Sequence, residues 1–221
     1  MTRFAPVLAF ALALAAAPAS ALGPVAFGPT PDAAGWEMLT FRGKTPAAYS
    51  APANGTVDIR AERAVSVLWR PLPRSFADAQ AAQWRWRVDQ GVPATNLARR
   101  RGDDRAIALY FVFADDPSAL DNPPATLRQA FSKGRALMYV WGGDQAAGTI
   151  VDSPHLRGRG RMVIRQPAGA GPWQAESVDI RGDFRRAFGR EPGPLVGLGI
   201  STDSDDTGTV NRAAIADLVI R

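Results

Sequence analysis

The chain has 221 residues, with 26 basic against 21 acidic groups, one histidine and no cysteine. That length suits one large domain or at most two, and is enough to bury a full core. The lack of Cys excludes disulfides, thiol nucleophiles and a lipid-modified cysteine start, and with a single His it excludes zinc sites of the usual His/Cys type.

Met1 to Arg3 makes a short positive start, Phe4 to Ala17 carries no charge, and Pro18 leads into Ala19-Ser20-Ala21, a small-x-small site. This is the anatomy of a secretory signal peptide cleaved after Ala21. The apolar stretch is short for a bilayer span, so no transmembrane segment is expected after cleavage. The mature chain is expected to begin at Leu22 and to be periplasmic, which argues against a nucleic-acid partner. Residues 22–34 are rich in Pro, Gly and Ala and read as a leader into a single domain over 35–221.

Trp36 to Phe41 reads as a first strand. Val57, Ile59 and Ala61 alternate with Asp58, Arg60 and Glu62, and Val65, Val67 and Trp69 continue the pattern. Trp84-Arg85-Trp86-Arg87-Val88 alternates again, tryptophans inward and arginines outward. Period two with one wet face marks an antiparallel sheet. Ile107 to Phe113 and Leu137 to Trp141 are nearly all apolar and read as central strands buried on both faces. Met162 and Ile164 oppose Arg161 and Arg165, Val178 and Ile180 open another strand, and Leu195–Ser201 and Ile215–Ile220 close the chain. Helical signals are confined to Pro124–Lys133 and to Asp183–Phe188, the latter with Asp183 as cap. The fold expected is all-β: a two-sheet antiparallel sandwich, jelly-roll-like, with one or two short helices in connections.

Several segments in order carry a family resemblance. They are Trp84 to Val88, Gly102-Asp103-Asp104-Arg105-Ala106 before an apolar strand, Tyr139-Val140-Trp141, Trp173 with Glu176, Asp183 with Phe188-Gly189, and Gly199 to Thr207. Together they resemble a bacterial family of exported proteins catalogued only as a domain of unknown function, number three thousand and forty-seven. The resemblance covers roughly Trp36 to Arg221. It implies an extracytoplasmic β domain and supplies no activity. Asp205-Asp206-Thr207 stands where the family has Asp-Asn-Thr, and Ala213-Ala214 replaces an aromatic before the last strand.

The residues supply common catalytic routes poorly. No Gly-x-Ser-x-Gly elbow, His-Glu-x-x-His pair or Gly-rich phosphate loop appears. His155 sits in an Arg/Gly-rich stretch that reads as an exposed loop, a poor setting for a triad base. The basic groups Arg99-Arg100-Arg101 and Arg157, Arg159, Arg161 and Arg165 are either a solvated face or a contact for anionic polysaccharide or headgroups. The sharpest feature is Asp203-Ser204-Asp205-Asp206-Thr207-Gly208. Asp203, Asp205 and Asp206 are candidate calcium ligands, or the acids of a turn bonded to its own backbone. No other cofactor is expected.

Asp103, Asp104 and Arg105 start one central strand, Trp141 and Asp144 follow a second, and Asp203, Asp205 and Asp206 follow a third. Antiparallel order brings these loops to one rim. Such a rim is either a ligand site, with sugar rings on Trp141 and hydroxyls on the charged groups, or a network that ties loops together. The leading expectation is a non-catalytic periplasmic binding module for a glycan or another cell-envelope ligand. Two alternatives stand beside it: a carbohydrate-active enzyme using paired Asp carboxylates, and a structural envelope protein.

Overall fold

A computed structural model describes residues 23–52 and 55–221. The signal segment read over residues 1–21 lies outside the described residues. Among the described residues thirteen strands and two α-helices follow in chain order. The first strands are β1 (Gly23–Pro24), β2 (Glu37–Leu39), β3 (Ala48–Ser50), β4 (Thr56–Glu62), β5 (Val65–Pro71), β6 (Ala81–Gln90) and β7 (Arg105–Ala114). Then come α1 (Leu127–Lys133), β8 (Gly134–Trp141), β9 (Ile150–Asp152), β10 (Gly160–Gln166), β11 (Gly171–Asp179), α2 (Ile180–Phe188), β12 (Leu195–Asp203) and β13 (Val210–Ile220).

These strands form two sheets stacked as a jelly-roll-like sandwich. The first runs β11-β6-β13-β4-β3, with β1 on β13, and the second runs β2-β5-β12-β7-β8-β10-β9. Pairing is antiparallel except between β8 and β10, which are parallel. The segment from Gly142 to Arg159, with β9 inside it, is long enough to return the chain to the starting end of β8. The Pro/Gly/Ala-rich segment after Leu22 is not a free leader. Its Gly23 and Pro24 pair with β13, and Val25 and Phe27 are buried with Trp36 in the inter-sheet core.

Alternation sorts the core into two layers. Ile107, Leu109, Phe111 and Phe113 of β7 face the first sheet and meet Trp84, Trp86 and Val88. Ala108, Tyr110, Val112 and Ala114 face outward, yet are buried under Leu97, Leu127 and Ala130. The second sheet is therefore covered on both sides. Trp69, which shares the phase of the other strand tryptophans, lies in this outer layer and not between the sheets. Its ring crosses Gly197 so closely that a Cβ there would collide with it.

Both short helices are present. In α1 the Thr126 side chain accepts from Gln129 N–H and caps the first turn. In α2 the cap is Asp179, accepting from Gly182 N–H, and not Asp183. Asp183 is instead buried and accepts from Tyr139 Oη at 2.8 Å. The helix begins earlier than its apolar spacing suggests because Ile180 and Phe184, four apart, anchor it in the inter-sheet core.

Candidate functional site

Register brings the three acidic loops to one end of the second sheet. Asp203 of β12 pairs with Arg105 of β7, and Ile107 pairs with Trp141 of β8. Gly142, just past β8, runs against Arg105 so closely that its hypothetical Cβ would lie 2.9 Å from the Arg105 Cβ.

Arg105 is the centre of this rim and is 7% exposed. Its Nη1 donates to the Asp103 carbonyl at 2.7 Å and meets Asp203 Oδ2 at 3.5 Å. Its Nη2 donates to Tyr110 Oη at 2.9 Å and Ser201 Oγ at 3.2 Å. Asp103 Oδ2 lies 3.7 Å from the guanidinium and 3.1 Å from His155 Nε2. Asp104 is fully buried and receives the Thr207 N–H at 2.7 Å and the Thr207 hydroxyl at 2.6 Å. Asp205 pairs with Lys44. Burial pushes the Asp203 carboxyl up to about 8; Arg105 pulls it down, while Asp104 and Asp103 add to the rise.

The other residues read from the sequence fall differently. Asp206 is exposed and contributes its backbone N–H, which points to Asp104 at 3.4 Å. Asp144 is exposed, with its backbone N–H on Thr95. Trp141 is buried in the inter-sheet core, 6.0 Å from Trp86 in a T-shaped arrangement, and its Nε1 donates to the Gly169 carbonyl. Its ring lies among hydrophobic side chains instead of standing at the rim.

The outer face of the first sheet contrasts with this closed end. Along β6 the outward residues are Gln83, Arg85 and Arg87; β4 adds Asp58 and Arg60, and β13 adds Arg212 and Asp217. Arg85 Nη2 meets Asp217 Oδ2 at 2.6 Å, and Arg87 lies 3.9 Å from Asp58 and 3.4 Å from Asp89. Both arginines lie over the Trp173 ring of β11, at 5.3 and 5.1 Å from its centroid. Asp217 sits where β13 slips register against β6, with φ 55° and its N–H on Gly55 O. Two shallow depressions lie on this face, one beside Arg85 and Asp217, the other beside Asp58 and Arg87.

From the sequence alone these arginines read as an ordinary wet face, and Asp58 and Asp217 are not singled out. The signal was present in the alternation itself. Arg85 and Arg87 share a face with Asp58 once β6, β13 and β4 are neighbours, but the neighbour order is not a property of any one segment.

A third charged group lies between these regions. Glu176 of β11 is buried, meets Arg165 Nη2 at 2.6 Å and accepts from Trp86 Nε1 at 3.3 Å. This pair ties β11, the edge strand of the first sheet, to β10, the strand next to the edge of the second.

Among curated proteins none matches the sequence. Among the solved structures that resemble the chain at low identity are the following three. The xyloglucanase domain of NopAA from Sinorhizobium fredii has TM-score 0.46 at 9% identity, over 84% of this chain and 90% of that one. The family 12 xyloglucanase of Bacillus licheniformis has TM-score 0.44 at 8% identity, over 84% and 96%. The catalytic domain of Humicola grisea Cel12A has TM-score 0.41 at 15% identity, over 85% and 92%. These neighbours are catalytic domains and not binding modules, which corrects the expectation of a non-catalytic binding module. A family model matches residues 34–219, and the chain belongs to that family, described as protein of unknown function (DUF3047).

Proposed function

We propose that the chain is a carbohydrate-active enzyme that acts on an extended polysaccharide laid across the open face of the first sheet. One observation carries the reading: a solvent-facing strip that crosses β11, β6, β13 and β4 and holds two half-exposed carboxylates, Asp217 and Asp58, with Arg85, Arg87 and Trp173 between and beside them. Hydrolysis of a glycosidic bond needs one acid to protonate the leaving oxygen and one carboxylate to act on the other side of the sugar. Asp58 lies opposite Ala214 on the neighbouring strand, so Asp217 is three residues further along β13. Three strand steps and one strand spacing put the two backbones about 11 Å apart, nearer the carboxyl spacing of inverting enzymes, which admit a water, than that of retaining ones. The rim carboxylates are less suited to this work, because Asp103, Asp104 and Asp203 are buried and engaged with Arg105 and Thr207.

The test is release of reducing ends from a panel of soluble β-glucans and peptidoglycan fragments. Asp217→Asn and Asp58→Asn are each expected to lower the rate at least about 100-fold with the fold intact. Unchanged turnover in both variants, or no release from any polysaccharide, overturns the reading. Export is part of the same proposal, supported by the charge and hydropathy pattern of residues 1–21. Periplasmic protein is expected to start at Leu22 on N-terminal sequencing; a membrane-bound chain that keeps Met1 argues against it.

A further inference from the structure

We propose that the rim binds one calcium ion between Asp104, Asp203 and Asp205. One carboxylate oxygen of each residue lies within 4.8 Å of the other two. An acidic group of this kind is ordinarily tied off by backbone and by cations, and most of this one is. The exception is Asp203, which is 7% exposed. Its Oδ2 turns to Arg105, while Oδ1 is buried without a hydrogen-bond partner beside the Asp104 carboxyl. A buried carboxylate oxygen with nothing to accept from is costly, and the oxygen next to it belongs to another carboxylate.

Charge balance points the same way. Asp103, Asp104, Asp203 and Asp205 face two permanent cations, Arg105 and Lys44, with His155 on the outer side of Asp103. With all four carboxylates ionised, two positive charges are missing, which is the charge of one hard divalent ion. The donors are all oxygen, as calcium and magnesium prefer. Three protein carboxylates converging on one point favour calcium, because magnesium keeps most of its waters and is usually held by only one or two carboxylates. The sequence suggested Asp203, Asp205 and Asp206 as the ligands; the fold replaces Asp206, whose side chain is exposed, by Asp104 from a loop about a hundred residues earlier.

The experiment is calcium titration of the chelator-stripped protein, read by isothermal calorimetry and by Tm, with magnesium in parallel. The expected result is one saturable calcium site per chain, a Tm rise of about 5 °C at saturation, and weaker magnesium binding. Asp203→Asn is expected to weaken calcium binding at least tenfold. Should that variant not fold, Asp205→Asn, which removes a ligand less deeply buried than Asp203 as a residue, serves the same purpose. Absence of saturable uptake by the unaltered chain at about 1 mM calcium overturns the proposal, as does uptake unchanged in both variants. Neither readout involves a polysaccharide, so failure here leaves the reading of the open face standing, and the reverse holds too.

Discussion

Arg105 and Arg85 are the same residue type, each paired with an aspartate, yet they sit in opposite surroundings. Arg105 lies under loops at the end of the second sheet with a 9% exposed side chain; Arg85 stands on the open first sheet with 51% exposed. Water screens the second pair and not the first. The buried pair is therefore a structural commitment: either partner alone would be an uncompensated charge. The exposed pair holds little folding energy and remains free to exchange its partner for a ligand. Burial, more than residue chemistry, separates a site that holds the fold from one that can serve a substrate.

The largest effect expected is from Arg105→Ala. Removing the guanidinium leaves Asp103 without its cation and Asp203, Tyr110 and Ser201 without their buried donor, and should cost about 3–5 kcal/mol in urea unfolding. A loss below about 1 kcal/mol would show that the rim is not the closed network described. Next is the pH response in chelator. The unfolded Asp203 titrates near 4, whereas in the folded chain its carboxyl is pushed up to about 8. The folded state thus holds the extra proton between those values, and its contribution to stability is complete below about pH 4 and falls as pH rises toward about 8. Asp203→Asn should flatten that fall; an equal slope in the variant would assign it to other groups.

Smaller still is Tyr110→Phe, which removes a hydroxyl that accepts from Arg105 and contacts Ser201 Oγ at 3.0 Å. It should cost about 1–2 kcal/mol by leaving buried donors unpaired, and a silent substitution would mean that water replaces the hydroxyl. On the open face Arg85→Ala should change stability by less than about 1 kcal/mol while weakening polysaccharide turnover. If it destabilised as much as Arg105→Ala, the contrast between the two regions would collapse.

Much of the fold was legible in local pattern. The alternation of Val57, Ile59 and Ala61, and of Trp84 and Trp86 against Arg85 and Arg87, placed each side chain on its face of β4 and β6. The unbroken apolar run Ile107 to Phe113 was readable as a strand covered on both sides, and all of β7 is buried. The convergence of Asp103, Asp104 and Asp203 at one rim followed from antiparallel order alone. Less of the proposed function was legible, because Asp217 and Asp58 stand on neighbouring strands far apart in sequence.

What the sequence by itself determined, then, was the period of each strand, the turns between them, the two helical excursions and the membership of the family. These depend on residues within a few positions of each other. The tertiary structure alone decided which wet face stays open, that Trp69 and Trp84 share a phase but enter different cores, that Trp141 points into the sandwich, and that Asp104 and not Asp206 joins Asp203 and Asp205. Period two states which residues share a face of a sheet; it says nothing about which layer covers that face. That is set by strand order and by the loops that fold back over the second sheet, contacts between segments as distant as Leu97, Leu127 and Tyr110.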